Sequence, residues 1–93
     1  MDRILPTYAR QIKESTIDSI HRWVDYGIPP GGFLQAVLKN DLKGACQRAD
    51  SDNILVLPLI VSYIYNCCPA ACWGSPENYN EWIAYKQSQR EIE

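Results

Sequence analysis

The side chains best suited to reactive chemistry here are four cysteines, one histidine and a group of aspartates. Cys67, Cys68 and Cys72 lie close together and Cys46 stands upstream, which invites a zinc reading with four thiolate ligands. The spacing argues against it, because no C-x-x-C pair is present and His21 lies far upstream. Small buried thiols, behaving as apolar side chains, account for the same residues. A nucleophilic cysteine needs a neighbouring base, and His21 is the one histidine on offer. With no second histidine to pair with, His21 reads as a partly exposed residue flanking an apolar helix stripe. Asp41, Asp50 and Asp52 stand where helix starts need side-chain acceptors, so capping explains them without catalysis. There is no G-x-S-x-G, phosphate-binding loop, Rossmann glycine pattern or H-E-x-x-H. The expectation is a protein that is not an enzyme and that carries no metal and no cofactor.

Binding chemistry is better placed than catalysis. In Tyr26-Gly27-Ile28-Pro29-Pro30-Gly31-Gly32-Phe33, Gly27 suits the left-handed residue that ends a helix. Pro29 and Pro30 cannot continue that helix. Gly31 and Gly32 then launch a second one with no side chain over its first N–H groups. An anion or carboxylate can approach such a start. A plain interhelical turn with solvated N–H groups uses the same residues and is the commoner arrangement. Aromatics are numerous: Trp23, Tyr26, Phe33, Tyr63, Tyr65, Trp73, Tyr79 and Trp82. Most must be core. Those near 27–32 and 72–75, together with Arg22 and Arg48, are the kinds of residue that line interfaces and base-stacking pockets. The candidate ligand-binding set is therefore Tyr26, Gly31, Gly32, Phe33, Arg22, Arg48 and Trp73.

Helices must position these residues. Residues 1–6 read as a loose leader, with Pro6 suited to a first helical position. A helical region over 7–26 carries Tyr8, Ile12, Ile17, Ile20, Trp23 and Val24, with a polar break at Lys13-Glu14-Ser15-Thr16. A second helix spans 32–39, and Asn40-Asp41 stops it and caps a third over 42–49. Gly44 weakens that third helix by up to ~1 kcal/mol relative to alanine. Asp50-Ser51-Asp52-Asn53 opens the most apolar segment, 54–66, which is apolar on nearly its whole circumference and reads as a central or interfacial helix. Pro58 must kink it or mark its true first turn. Residues 67–74 form a loop. Ser75-Pro76-Glu77 starts a last helix to about 89, with 87–93 frayed.

The 93 residues suffice for a single domain, 1–93. A net charge of −2 argues against direct nucleic-acid binding. No segment is long and apolar enough to span a membrane, and the N-terminus lacks the apolar core of a signal peptide. The expected compartment is the cytosol, with reduced cysteines.

The segments Gly27-Ile28-Pro29-Pro30-Gly31, Asn40-Asp41-Leu42, Arg48-Ala49-Asp50 and Cys72-Trp73-Gly74-Ser75-Pro76 together resemble a family of small uncharacterised phage- and prophage-associated proteins. The likeness extends over about 17–82. It carries over no catalytic residue. It implies a mobile-element accessory protein acting in the bacterial host cytosol, and such proteins often bind a host component. The resulting expectation is an all-α bundle of four to five short helices around 54–66, forming a homo-oligomer. It would bind and inhibit or sequester an antiviral-defence component, either a small anionic nucleotide-like ligand or a host protein. A structural or regulatory phage component is the alternative.

Overall fold

The computed structural model describes residues 6–92. The leader expected over 1–5 lies outside them, as does Glu93. Every regular element among the described residues is helical, as the sequence led one to expect.

Pro6 precedes a 3-10 turn, Thr7–Gln11, that buries Ala9. The first long helix does not run unbroken from residue 7. Ile12 and Lys13 are extended, and α1 spans Glu14–Tyr26. Its apolar side, Ile17, Ile20, Trp23 and Val24, is buried at the spacing of one helix face. Gly27 ends it at φ 69°, with its N–H on the Trp23 carbonyl at 2.9 Å. Two short helices follow, α2 (Gly32–Leu38) and α3 (Leu42–Arg48), packed against each other. Between them Asn40 takes the left-handed conformation at φ 63°, which asparagine tolerates better than most residues. Asp41 caps α3 by accepting the Gly44 N–H at 3.0 Å. That cap explains Gly44: a Cβ there would strike the Asp41 carboxylate.

The apolar run 54–66 is two helices rather than one rod. Helix α4 is Ser51–Leu55, and α5 is Leu57–Cys67 with Pro58 in its first turn. Proline lacks the N–H that the ladder needs and crowds the carbonyl four residues back, so the helix restarts at Val56. Only one side of α5 is enclosed, by way of Leu57, Ile60, Tyr63 and Ile64. Leu55, Val61 and Tyr65 are exposed. His21 of α1 reaches across to Tyr63, with Nε2 2.5 Å from the hydroxyl.

A second 3-10 turn, Ala70–Cys72, leads to α6, Pro76–Ile92. Ser75 caps α6, its Oγ accepting the Asn78 N–H at 3.0 Å. The helix continues past residue 89, where the sequence suggested fraying. Trp23 is the pivot of the core. It is fully buried, stacks on Tyr79 at 4.5 Å and 12°, and donates from Nε1 to the Cys72 carbonyl at 3.1 Å. The Trp82 indole in turn donates to the Trp23 carbonyl at 3.0 Å.

Helix α4 hangs on one side chain. Asp50 Oδ1 accepts the N–H groups of Asp52 and Asn53 at 3.1 and 2.7 Å, while Oδ2 meets Lys13 Nζ at 2.6 Å. The Lys13 hydrogen bond, aided by the Asn53 N–H, holds the Asp50 carboxyl below its ordinary value. A depressed folded value means the stabilisation is present above the ordinary carboxylate range and is lost as pH falls through the folded value. Asp50→Ala should therefore lower the melting temperature at neutral pH. The gap from the unaltered protein should hold down to about pH 4 and narrow below it, as followed by circular dichroism melts across pH. A gap independent of pH would show that the charge contributes nothing.

Candidate functional site

The start of α2 opens onto a recess of about 360 Å³. Gly31 and Gly32 form its lip, and Phe33 and Leu34 the floor on the α2 side. Across from them α1 contributes Ser15, Thr16 and Ser19, α3 contributes Arg48, and α4 contributes Asn53. The position of each residue follows from local structure. Gly31 is extended, and no side chain caps α2. The first N–H of the helix paired within it is that of Gln35, on the Gly31 carbonyl at 3.0 Å. The Gln35 side chain locks the preceding turn by donating to the Pro30 carbonyl at 2.8 Å. A side chain at Gly31 would meet nothing, so the lip is open. A Cβ at Gly32 would lie 3.2 Å from Arg48 Cδ, so glycine lets the Arg48 stem lie across the helix start. Ser15 and Ser19, four residues apart on α1, share one helix face. Thr16 is tied to Asn53 by a hydrogen bond at 3.3 Å.

The recess therefore gathers donors: the unpaired first-turn N–H groups of α2, the Arg48 guanidinium and a short row of hydroxyls. Among the described residues Arg48 is held by one long 3.5 Å bond, from Nη1 to the Gly44 carbonyl, which leaves the guanidinium capacity to spare. On its other side Arg48 borders a smaller hollow of about 130 Å³ with Gln35, Lys39 and Asp41. Carbonyls, hydroxyls and donors at this scale suit binding and orientation of a small polar molecule.

The seven residues singled out from the sequence do not converge on one place. Gly31, Gly32, Phe33 and Arg48 line the recess. Arg22 adjoins it, because its Nη2 donates to Ser19 Oγ at 3.1 Å. Tyr26 and Trp73 lie elsewhere. Tyr26 is a turn beyond Arg22, at the end of α1, where it lines a hollow of about 180 Å³ with Asp25, Lys86, Gln89 and Arg90. Trp73 is held at the far end of α2, because the adjacent Gly74 N–H donates to the Leu38 carbonyl at 2.8 Å. Six steps along the helix, roughly 9 Å at 1.5 Å each, separate that end from Gly32. Trp73 instead borders a small apolar hollow with Val37, Leu42 and Val61 and meets Tyr65 edge-on at 6.3 Å. Ser15, Ser19 and Asn53 were missed. The signal for the serines is their four-residue spacing, of which Ser15 falls in the polar break at 13–16 and Ser19 beyond it, while Asn53 reads as part of the capping cluster 50–53.

None of the four cysteines is in a disulfide: Cys46 is exposed, Cys67 and Cys68 half-buried, Cys72 buried. Among the described residues, no three or more His, Cys, Asp or Glu side chains assemble around a point where a metal ion would sit, and no helix is long and apolar enough to cross a membrane. Comparison with protein-family models, with curated proteins and with solved structures finds no match to this chain.

Proposed function

We propose that this protein is a non-catalytic binder that seats a small anionic ligand of nucleotide type in the recess at the start of α2. The observation that supports this most is the uncapped, glycine-lined helix start facing Arg48 across about 360 Å³. A phosphate there takes N–H groups of the first turn and the guanidinium, both charge-complementary donors. Ser15 and Ser19 offer hydroxyls to a sugar, and the half-buried Phe33 ring offers an apolar face to a base. The volume falls within the ~300–1,000 Å³ of small-molecule sites. On this reading the protein is a phage or mobile-element accessory factor in the bacterial cytosol, sequestering a nucleotide-type signal of host antiviral defence.

The test is a melting-temperature screen against linear and cyclic nucleotides. A ligand at a hundred times its Kd adds about 2.7 kcal/mol, which raises Tm by roughly 10 °C or more in a domain of this size. Arg48→Ala should weaken that ligand about 10- to 100-fold, the worth of a charged hydrogen bond. Absence of a shift with every nucleotide sinks the proposal.

A second reading draws on a separate observation. Leu42 and Tyr65 are both 71% exposed, beside Val61 and Trp73, an apolar grouping of the kind that marks protein contacts. It fits self-association into a homo-oligomer, or inhibition by docking on a host enzyme. Light scattering of the protein alone and with Tyr65→Ser separates these. A larger assembly that the variant dissolves is the oligomer, and an unchanged monomer leaves the face for another protein.

A further inference from the structure

All eleven acidic and nine basic residues of the chain lie outside 54–76, and so does His21. That charge-free segment carries α5 and the reversal after it, and much of it meets solvent. Pro58, Val61, Ser62 and Tyr65 of α5 are exposed. Steps of three, four and seven residues from Pro58 put them on one side of the helix, turned away from the buried Leu57, Ile60 and Ile64. The strip widens toward α3, where Leu42 and Trp73 border one hollow with Val61, and the Tyr65 ring meets Trp73 edge-on. Leu55, just before α5, is 81% exposed.

The missing charge bears on what covers this strip. An anionic membrane surface is met by Lys and Arg set beside apolar residues. An acidic or basic partner is met by the opposite charge. The segment 54–76 offers neither sign. A second copy of the chain makes a different demand. In a two-fold contact each residue near the axis lies close to its own twin, so a charge there meets its like. A charge-free strip on a chain of net charge −2 meets itself without that repulsion.

We propose that two copies of this chain pair through the exposed strip of α5, about a two-fold axis that passes beside Ser62. This rests on the self-association reading above and adds the contact and its centre. Ser62 stands mid-strip and is small and neutral, so the two helices can approach closely there. Tyr65, Leu42 and Trp73 are the aromatic and aliphatic groups that such a contact takes out of water. The recess draws no residue from 54–76, so pairing leaves its ligand contacts in place.

Sedimentation equilibrium of the full chain over a range of concentrations tests this. The mass should rise with concentration to twice the 10.6 kDa of one chain. Ser62→Asp and Ser62→Lys each set like charges across the axis, and each should weaken the dimer about 100-fold. Their circular dichroism should be unchanged, because the position is exposed. An equal mixture of the two variants should regain the doubled mass, since opposite charges then meet. Where a Ser62 variant loses helix, Val61→Asp mixed with Val61→Lys carries the same test. A mixture no heavier than its separate variants overturns the contact at Ser62, even when the unaltered chain dimerises. A monomer at every concentration overturns self-association itself and gives the strip to another protein or a lipid surface.

Discussion

Trp23→Ala should bring the protein to the edge of unfolding. Truncating a fully buried tryptophan costs about 3–5 kcal/mol. The Cys72 carbonyl then loses its donor inside the core, which adds about 1–3 kcal/mol. The Tyr79 ring loses its stacked partner at 4.5 Å. Domains of this size have only about 5–15 kcal/mol in total, so the loss takes about a quarter of it or more. Urea unfolding followed by far-ultraviolet circular dichroism measures the change. Trp82→Phe is the calibrating comparison. It removes one hydrogen bond, to the Trp23 carbonyl, from a half-buried ring, so about 1 kcal/mol is expected. Equal losses in the two variants would show that Trp23 is not the pivot described.

The second large effect is at Gly27. At φ 69° a side chain is strained whatever its surroundings, by about 1–2 kcal/mol. Here the surroundings are also full. A Cβ would lie 2.6 Å from Lys86 Cβ on α6, and that atom cannot swing away without moving the helix. Gly27→Ala should therefore destabilise by about 2–4 kcal/mol, with the gap between α1 and α6 widened. Gly31→Ala serves as the contrast, because Gly31 has φ −66° and open space beside it. That change should lie within about 0.5 kcal/mol of the unaltered protein. Parallel denaturation curves for the two variants decide the matter, and equal midpoints would remove the special role given to Gly27.

Local signals carried most of the fold. Gly27, Asp41, Asp50 and Ser75 each end or start a helix in the way their side chains dictate, because caps depend on neighbours within a few residues. Pro58 posed a choice between a kink and a first turn, and the structure takes the latter. What was not legible depended on distance through space. The sequence cannot tell that one side of α5 stays open, since hydrophobicity all round fits enclosure equally well. The same limit governed the recess. Gly31, Gly32 and Phe33 are contiguous and were readable as a unit, and Arg48 joins them because α2 and α3 pack together. Tyr26 and Trp73 flank the same glycines in the mind of anyone scanning for aromatics. In space, the Gly27 cap against α6 and the Gly74 tether to Leu38 carry them to other faces.

The two indole bonds of the core share a property with evolutionary meaning. Trp82 reaches the carbonyl of residue 23, and Trp23 reaches the carbonyl of residue 72. A carbonyl belongs to every amino acid, so no codon change at an accepting position can delete it. Heritable drift can exchange the side chain at residue 72, within the room its burial allows, and keep that bond intact. A donor has no such insurance, because only tryptophan sets an N–H at that reach on so large an apolar plate.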